Sequence, residues 1–268
     1  LSQPVTPVRV VQLSDFHLFA DPGSTMLGLN TQHSLETVLR LVRAEQPDMR
    51  AILATGDLSQ DGSEASYTRL KKALRAFGVP VYWLEGNHDE THPMRAMLAD
   101  EAGRVSPCVG TVDGWRVIML DSTIPGQVPG ELFDRDLVFL EQALMESRDH
   151  HVMICLHHHP VPMGSRWLDE QQVANSDAFF RIIDRHPQVR AVLWGHVHQE
   201  YESRRKNVRL LSVPSTCVQF KPHSADFALD QCNPGYRWLD LYPDGRIESG
   251  VSRVQGMHFT VDLTVNGY

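Results

Sequence analysis

Five short stretches of the chain carry side chains able to bind a metal ion: Asp15-Phe16-His17, Gly56-Asp57, Gly86-Asn87-His88-Asp89, His157 and Gly195-His196-Val197-His198. Their donors are carboxylate oxygen, amide oxygen and imidazole nitrogen, with no thiolate among them. That set suits iron, manganese, cobalt or zinc rather than calcium, and it holds more donors than one four-coordinate ion can use. Two ions fit better. A pair of divalent ions can lower the pKa of a shared water and clamp both oxygens of a phosphoryl group during in-line displacement. Metal-assisted hydrolysis is the chemistry such a set supports.

The elements that must position these donors are read from the apolar runs before them. Val8 to Leu13, Met49 to Ala54, Val79 to Leu84, Val152 to Leu156 and Val189 to Trp194 are strand-like, and each breaks into one of the polar stretches. In open α/β sheets ligands gather just beyond the carboxyl ends of strands. Residues two apart in extended backbone point to one side. Asp15 with His17, and His196 with His198, are therefore expected to converge at one edge of one sheet. By the same rule His157 and His159 face one way and His158 the other, and His157, nearest the strand, is the expected donor of that run. A single stretch of this kind is an ordinary polar turn. Five of them at strand ends argue for a metal centre.

Between the strands, apolar residues recur at helical spacing. Leu35, Val38, Leu39 and Val42 form one such face, Tyr67, Leu70, Leu74 and Phe77 another behind the cap Ser63, then Leu137, Leu140 and Leu144, and finally Phe179, Phe180 and Ile183. Strand and helix alternate, which implies an α/β fold with parallel strands and right-handed crossovers. Trp115 to Leu120 is a further strand. Residues 18 to 32, 161 to 175 and 214 to 234 read as loops, the last as a wall of a substrate pocket, and the segment from Asp89 to Gly110 as irregular. His33, His92, His150, His151 and His186 are read as bystanders, His150 and His151 closing a helix. Val208 to Val213, Tyr236 to Tyr242 and Arg246 to Arg253 are expected to complete the sheet, the last two as an antiparallel hairpin around Asp244-Gly245. Met257 to Val265 is an edge strand or a tail. With no repeat and no linker, residues 1–268 are expected to form a single domain, the metal motifs lying within 10–200 and the C-terminal strands and lid loop within 201–268.

Composition narrows the function further. A formal charge of −8 over 268 residues and the lack of a basic stripe exclude binding to nucleic acid through its backbone. Cys108, Cys155, Cys217 and Cys232 are scattered with no CxxC pair, as expected of reduced thiols in a cytoplasmic protein. No apolar stretch approaches the roughly 20 residues a bilayer requires, and no charged-then-apolar leader precedes Val8. A soluble monomer or homodimer is expected, with no membrane partner.

The five stretches, in this order, resemble the motifs of the calcineurin-like metallophosphoesterase superfamily: D-x-H, G-D, G-N-H-D/E, H and G-H-x-H. That resemblance implies a sandwich of two mixed sheets flanked by helices, and two divalent ions, Fe²⁺ or Mn²⁺ first, with Zn²⁺ or Co²⁺ as options. It places one ion on Asp15, His17, Asp57 and His198 and the other on Asp57, Asn87, His157 and His196, with Asp57 shared. His88 becomes the proton donor that contacts phosphate, and His17, Asn87, His88 and His198 the residues that meet substrate. Within the superfamily, His157-His158-His159-Pro160, Pro214-Ser215-Thr216-Cys217-Val218-Gln219-Phe220 and Pro234-Gly235-Tyr236-Arg237-Trp238 resemble the bacterial class III cyclic nucleotide phosphodiesterases. The implied reaction is hydrolysis of 3′,5′-cyclic AMP to 5′-AMP by a metal-held hydroxide attacking in line. Glycerophosphodiesters, 2′,3′-cyclic nucleotides and phosphomonoesters are the alternative substrates, and a non-catalytic scaffold would have lost ligands that are all present here. Many members carry a carboxylate three residues after the shared Asp to orient the catalytic histidine. Here that position is Gln60, and either Asp61 or Asp89 is left for the task. Trp167, Phe220 and Phe227 are read as packing first and as a stacking surface for adenine second.

Overall fold

Strands buried on both faces show as unbroken apolar runs, and the first of them, β1 (Val8–Leu13), sits at the centre of a sheet. The computed structural model describes residues 6–99, 103–256 and 258–264. After β1 the chain makes a small hairpin, β2 (Thr25–Met26) and β3 (Leu29–Asn30), within the expected loop. Asn30 then caps α1 (Thr31–Glu45) by accepting the His33 N–H at 2.7 Å. β4 (Ala51–Thr55), α2 (Glu64–Arg75), β5 (Val81–Leu84) and α3 (Thr91–Leu98) follow. An antiparallel pair, β6 (Cys108–Val112) and β7 (Trp115–Met119), leads to α4 (Asp134–Glu146) and β8 (His151–Leu156). The short α5 (Arg166–Asp169) and α6 (Ser176–Ile183) precede β9 (Val189–Trp194). The chain is completed by β10 (Tyr201–Arg205), β11 (Val208–Ser212), the two-residue pair β12 (Gln219–Phe220) and β13 (Leu229–Asp230), and the hairpin β14 (Gly235–Leu241) and β15 (Ile247–Arg253).

The strands form two mixed sheets, ordered β15-β14-β1-β4-β5 and β10-β11-β9-β8-β7-β6. β1, β4 and β5 are parallel, as are β7, β8, β9 and β11, while β14, β15, β6 and β10 join antiparallel. The period of two decides which residues face which layer. Val10, Ala51 and Leu53 of the first sheet pack with Met153, Cys155, Ala191 and Leu193 of the second in a shared inner core. Their neighbours Val11, Leu13, Ile52 and Ala54 pack outward with Leu35, Val38, Tyr67 and Leu70 from α1 and α2. On the other side Val152, Ile154, Val192 and Trp194 pack outward with Leu140, Leu144, Phe179 and Ile183 from α4 and α6. This is the helix-flanked sandwich implied by the motifs.

Several expected elements shift. His151 begins β8 rather than ending a helix, and its Nε2 bonds the Pro243 carbonyl at 3.1 Å. The Asp89 to Gly110 segment holds α3, whose Pro93 sits in the first turn where a missing N–H costs nothing, and part of β6. Of the expected tail, Met257 and Val265 lie outside the described residues. Residues 258–264 form no strand, and the Asp262 N–H bonds the Leu27 carbonyl at 2.8 Å.

Candidate metal centre

The strand ends that carry the candidate donors belong to two sheets, not one. Asp15, His17, Asp57 and Asn87 follow β1, β4 and β5, whereas His157, His196 and His198 follow β8 and β9. Polar bonds tie the sheets at this end. The Gln12 amide donates to Thr55 Oγ1 at 3.0 Å and across to the Trp194 carbonyl at 3.1 Å, and His157 Nδ1 lies 2.9 Å from the Thr55 carbonyl.

The donors converge by leaving extended backbone. Asp15, His17, Asp57, His196 and His198 all have positive φ, between 46° and 64°. For side chains other than glycine this left-handed region costs about 1–3 kcal/mol per residue, and it persists where surroundings enforce it. Asp15 N–H bonds the Gly56 carbonyl, and the N–H groups of Phe16 and His17 share the Asp57 carbonyl at 2.8 and 3.0 Å. Ser215 Oγ holds the Asp15 carbonyl at 2.8 Å. Asp15 and His17 therefore meet through turned backbone rather than through the pleat. Gly86 permits a close approach to the shared carboxylate: a Cβ there would stand 2.2 Å from Asp57 Oδ1.

Protons on the rings follow from their far partners. Nδ1 of His17, His157 and His198 face Gln60 Oε1 at 2.6 Å, the Thr55 carbonyl at 2.9 Å and the Val218 carbonyl at 2.8 Å. His196 Nε2 faces Gln171 Oε1 at 2.9 Å. An oxygen of this kind has no proton to give, so the ring nitrogen donates and the opposite nitrogen can present a lone pair once any proton on it is displaced. Those lone pairs face one another and the carboxylates. His17 Nε2 and His198 Nε2 are 3.2 Å apart, and Asp57 Oδ2 lies 3.6 Å from His17 Nε2 and 3.3 Å from His157 Nε2. Asp15 Oδ1 lies 3.4 Å from His198 Nε2, and Asn87 Oδ1 lies 3.2 Å from His157 Nε2 and 3.0 Å from His196 Nδ1. Asp15 Oδ2 is buried without a hydrogen-bond partner.

Donor atoms bound at roughly 2.0–2.2 Å from a common ion stand about 3 Å apart, which is the spacing found here. Asp15, His17, Asp57 and His198 make one such group, and Asp57 Oδ2 also faces His157. The arrangement fits a dinuclear metal site. Electrostatics agree. Burial works against charge on Asp57, yet His157, His88 and His17 outweigh it and hold the carboxyl well below its usual range. Burial also opposes charge on His157, but Asp57 and Asp15 raise it to about 9, a proton that an arriving cation displaces. Burial holds His17 down to about 3.

Residues near the centre divide by what their atoms already do. His88 donates its backbone N–H to Asp57 Oδ1 at 3.0 Å, and its ring meets His17 edge-on with centroids 5.0 Å apart. His158 comes within 4.8 Å of the His157 and His196 donors, because the strand ends at Leu156 and the alternation with it. Its Nδ1 and Nε2 are engaged by Ser122 Oγ at 2.8 Å and the Val128 carbonyl at 3.0 Å, which leaves no lone pair for a metal. Cys217 also lies within 4.8 Å of His17 and His198, but burial pushes its thiol up to about 12 and keeps it protonated. Gln171 and Gln60 were not singled out as partners of His196 and His17; both are loop glutamines with no periodic signal. Phe220 stacks on His198 at 4.1 Å and packs with Trp167 at 5.0 Å and Phe227 at 5.6 Å.

Comparison with known proteins points the same way. The family model for calcineurin-like phosphoesterases matches residues 8–200. The 3′,5′-cyclic adenosine monophosphate phosphodiesterase CpdA of Pseudomonas aeruginosa is 49% identical over 261 residues, 97% of this chain and 95% of that protein. Its namesake from Escherichia coli K12 is 39% identical over the same shares. Among solved structures, a dimetal phosphatase from Danio rerio superposes with a TM-score of 0.62 at 16% identity, covering 92% of this chain and 99% of that one, a likeness of fold. The matched span contains every strand end described above, and the chain belongs to the calcineurin-like phosphoesterase family.

Proposed function

We propose that this chain is a two-metal phosphodiesterase that hydrolyses 3′,5′-cyclic AMP to 5′-AMP. The observation that carries the chemistry is the set of ring nitrogens and carboxylate and amide oxygens facing one another about 3 Å apart. The substrate follows from relatives bearing that activity in their names over nearly the whole chain. Asp15, His17, Asp57 and His198 would hold one ion, and Asp57, Asn87, His157 and His196 the other. Mixed nitrogen and oxygen donors suit Fe²⁺ or Mn²⁺, with Zn²⁺ and Co²⁺ also within range. When bound, the ions supply Lewis acidity to the phosphoryl oxygens and water of lowered pKa.

The remaining work belongs to the chain. The His88 N–H fixes Asp57 Oδ1, which turns Oδ2 toward His17 and His157 and sets it as the shared donor. Two buried carboxylates against two divalent ions leave positive charge, which draws a singly charged diester despite the net −8 of the chain. As an oxygen from water bonds to phosphorus, the bond from phosphorus to the 3′ oxygen breaks. His88 gives its proton to that oxygen, a poor leaving group whose protonation contributes about 10²- to 10⁴-fold. His17, Asn87, His88 and His198 are the residues assigned to substrate. No helix among the described residues is long and apolar enough to cross a membrane, and all four cysteines are free thiols, in keeping with a cytoplasmic site of action.

The test is product analysis. Protein loaded with Mn²⁺ or Fe²⁺ is incubated with 3′,5′-cyclic AMP, 2′,3′-cyclic AMP or AMP and the products are separated by chromatography. Conversion of the first to 5′-AMP supports the reading. Cleavage of the other esters alone overturns the substrate and keeps the chemistry.

A further inference from the structure

At the end of the sandwich away from the metal centre, Arg190, Arg204, Arg209 and Arg246 line one cleft of about 420 Å³. It lies where the start of β9 and the β10–β11 turn of one sheet meet the β14–β15 turn of the other. Arg190 stands near the amino end of the strand whose carboxyl end leads to His196, and at about 3.3 Å per residue the run from Arg190 to Trp194 alone spans about 13 Å. Hydrogen bonds between the sheets fix two of the guanidinium groups. Arg190 Nε donates to the Gly245 carbonyl at 3.0 Å, and Arg209 Nη1 donates to the Ile247 carbonyl at 2.8 Å.

The charges are less fully answered. Arg209 pairs with Glu202 and Arg246 with Glu248, and Asp244 takes the Arg246 backbone N–H at 2.9 Å. Among the described residues no carboxylate lines the cleft, and neither Arg190 nor Arg204 has a carboxylate partner. Arg204 stands directly opposite Arg209 in the β10–β11 ladder. Like charges so placed destabilise a sheet. Arg209 is only 8% exposed, and its Nε is buried without a hydrogen-bond partner. A cation held so far from water is costly unless an anion meets it.

We propose that this cleft is a binding site for a small phosphate compound, its oxygens taken by the open N–H groups of Arg190 and Arg204, with Arg209 and Arg246 adding charge from either side. A planar guanidinium presents paired donors that match two phosphate oxygens. An anion between Arg204 and Arg209 turns their repulsion into attraction. Ile247 is the only apolar side chain of the lining among the described residues, so the cleft is built for phosphate rather than for a base or an acyl chain. The site is separate from the metal centre, and the inference does not depend on the substrate assigned there.

Calorimetric titration of the full, Zn²⁺-loaded chain at low ionic strength tests this, with inorganic phosphate and glycerol 3-phosphate as probes. Binding at the metal centre is separated by comparison with Arg204→Ala, an exposed position whose loss leaves the bonds between the sheets intact. The unaltered protein is expected to show a binding event that Arg204→Ala, and separately Arg190→Ala, weakens about tenfold or more. In phosphate-free buffer Arg204→Ala should match or exceed the unaltered protein in Tm, because its repulsion from Arg209 is gone. Preference for glycerol 3-phosphate identifies an organic phosphate and preference for inorganic phosphate the free ion; either supports the site. Titrations that do not differ between the unaltered protein and Arg204→Ala overturn the proposal, as does an event that chloride reproduces at equal ionic strength. Tighter binding of a single-stranded oligonucleotide than of either probe would make this face a macromolecular surface and would also overturn it.

Discussion

His157 Nδ1 donates to the Thr55 carbonyl across 2.9 Å, a bond that runs from one sheet to the other and leaves His157 Nε2 facing Asp57 Oδ2 at 3.3 Å. One ring thus joins the two halves of the sandwich and serves the centre between them. His157→Ala is expected to release one ion and to lower stability by about 0.5–1.5 kcal/mol through the lost hydrogen bond, since the Thr55 carbonyl keeps the Ser14 hydroxyl at 3.0 Å. Metal analysis and urea unfolding of the same preparation check both effects.

Neighbouring residues should separate binding from turnover. Asn87 Oδ1 reaches His157 and His196 donors, whereas His88 stands beside the first group without joining it. Asn87→Ala is expected to lose the second ion. His88→Ala should keep both and lose about 10²- to 10⁴-fold in kcat, most severely on esters with poor leaving groups. Loss of metal from His88→Ala would reverse these roles.

Gly86 is expected to be as sensitive as a ligand. Its φ is not in the left-handed region, so substitution there acts through collision alone: a Cβ would stand 2.2 Å from Asp57 Oδ1 and 2.3 Å from the Asp57 nitrogen. Gly86→Ala should displace the shared carboxylate, release metal and abolish turnover while the far-ultraviolet circular dichroism stays unchanged. Full metal content in this variant would show that Asp57 can shift without cost.

How much of this was legible in the sequence depends on what signals each feature leaves. Asp15, His17, Asp57, Asn87, His157, His196 and His198 were all readable because each follows an apolar run, and the structure brings the seven together. The reason given for their convergence was incomplete: extended backbone was assumed, and five of them are left-handed. Assignment of the strands to two sheets left no trace in the runs themselves, since strands buried on both faces look alike in either sheet. β10 was missed because Tyr201–Arg205 is a polar edge strand with no alternation to detect. β6 was missed because Gly110 reads as a breaker, whereas it makes room for the Tyr82 ring, which a Cβ would meet at 2.0 Å. Gln60 and Gln171 meet His17 and His196 through pairings that form only when distant parts of the chain come together.

Metal removal should cost the protein more than activity. Without cations the centre holds lone pairs facing lone pairs, an Asp15 oxygen buried without a partner, and five side chains in left-handed backbone. Each of those conformations costs about 1–3 kcal/mol and is kept because the surroundings enforce it. Ions that bind only the folded chain add stability with the logarithm of their concentration over Kd, about 4 kcal/mol at a thousandfold excess. Dialysis against a chelator is therefore expected to lower Tm by several degrees, and re-addition of Mn²⁺ to restore it in proportion to the logarithm of free metal. Magnesium or calcium should restore little, because imidazole-rich sites disfavour such hard ions. A Tm indifferent to chelator and to Mn²⁺ would mean that protons alone satisfy these donors, and the reading of the centre as a metal site would have to be given up.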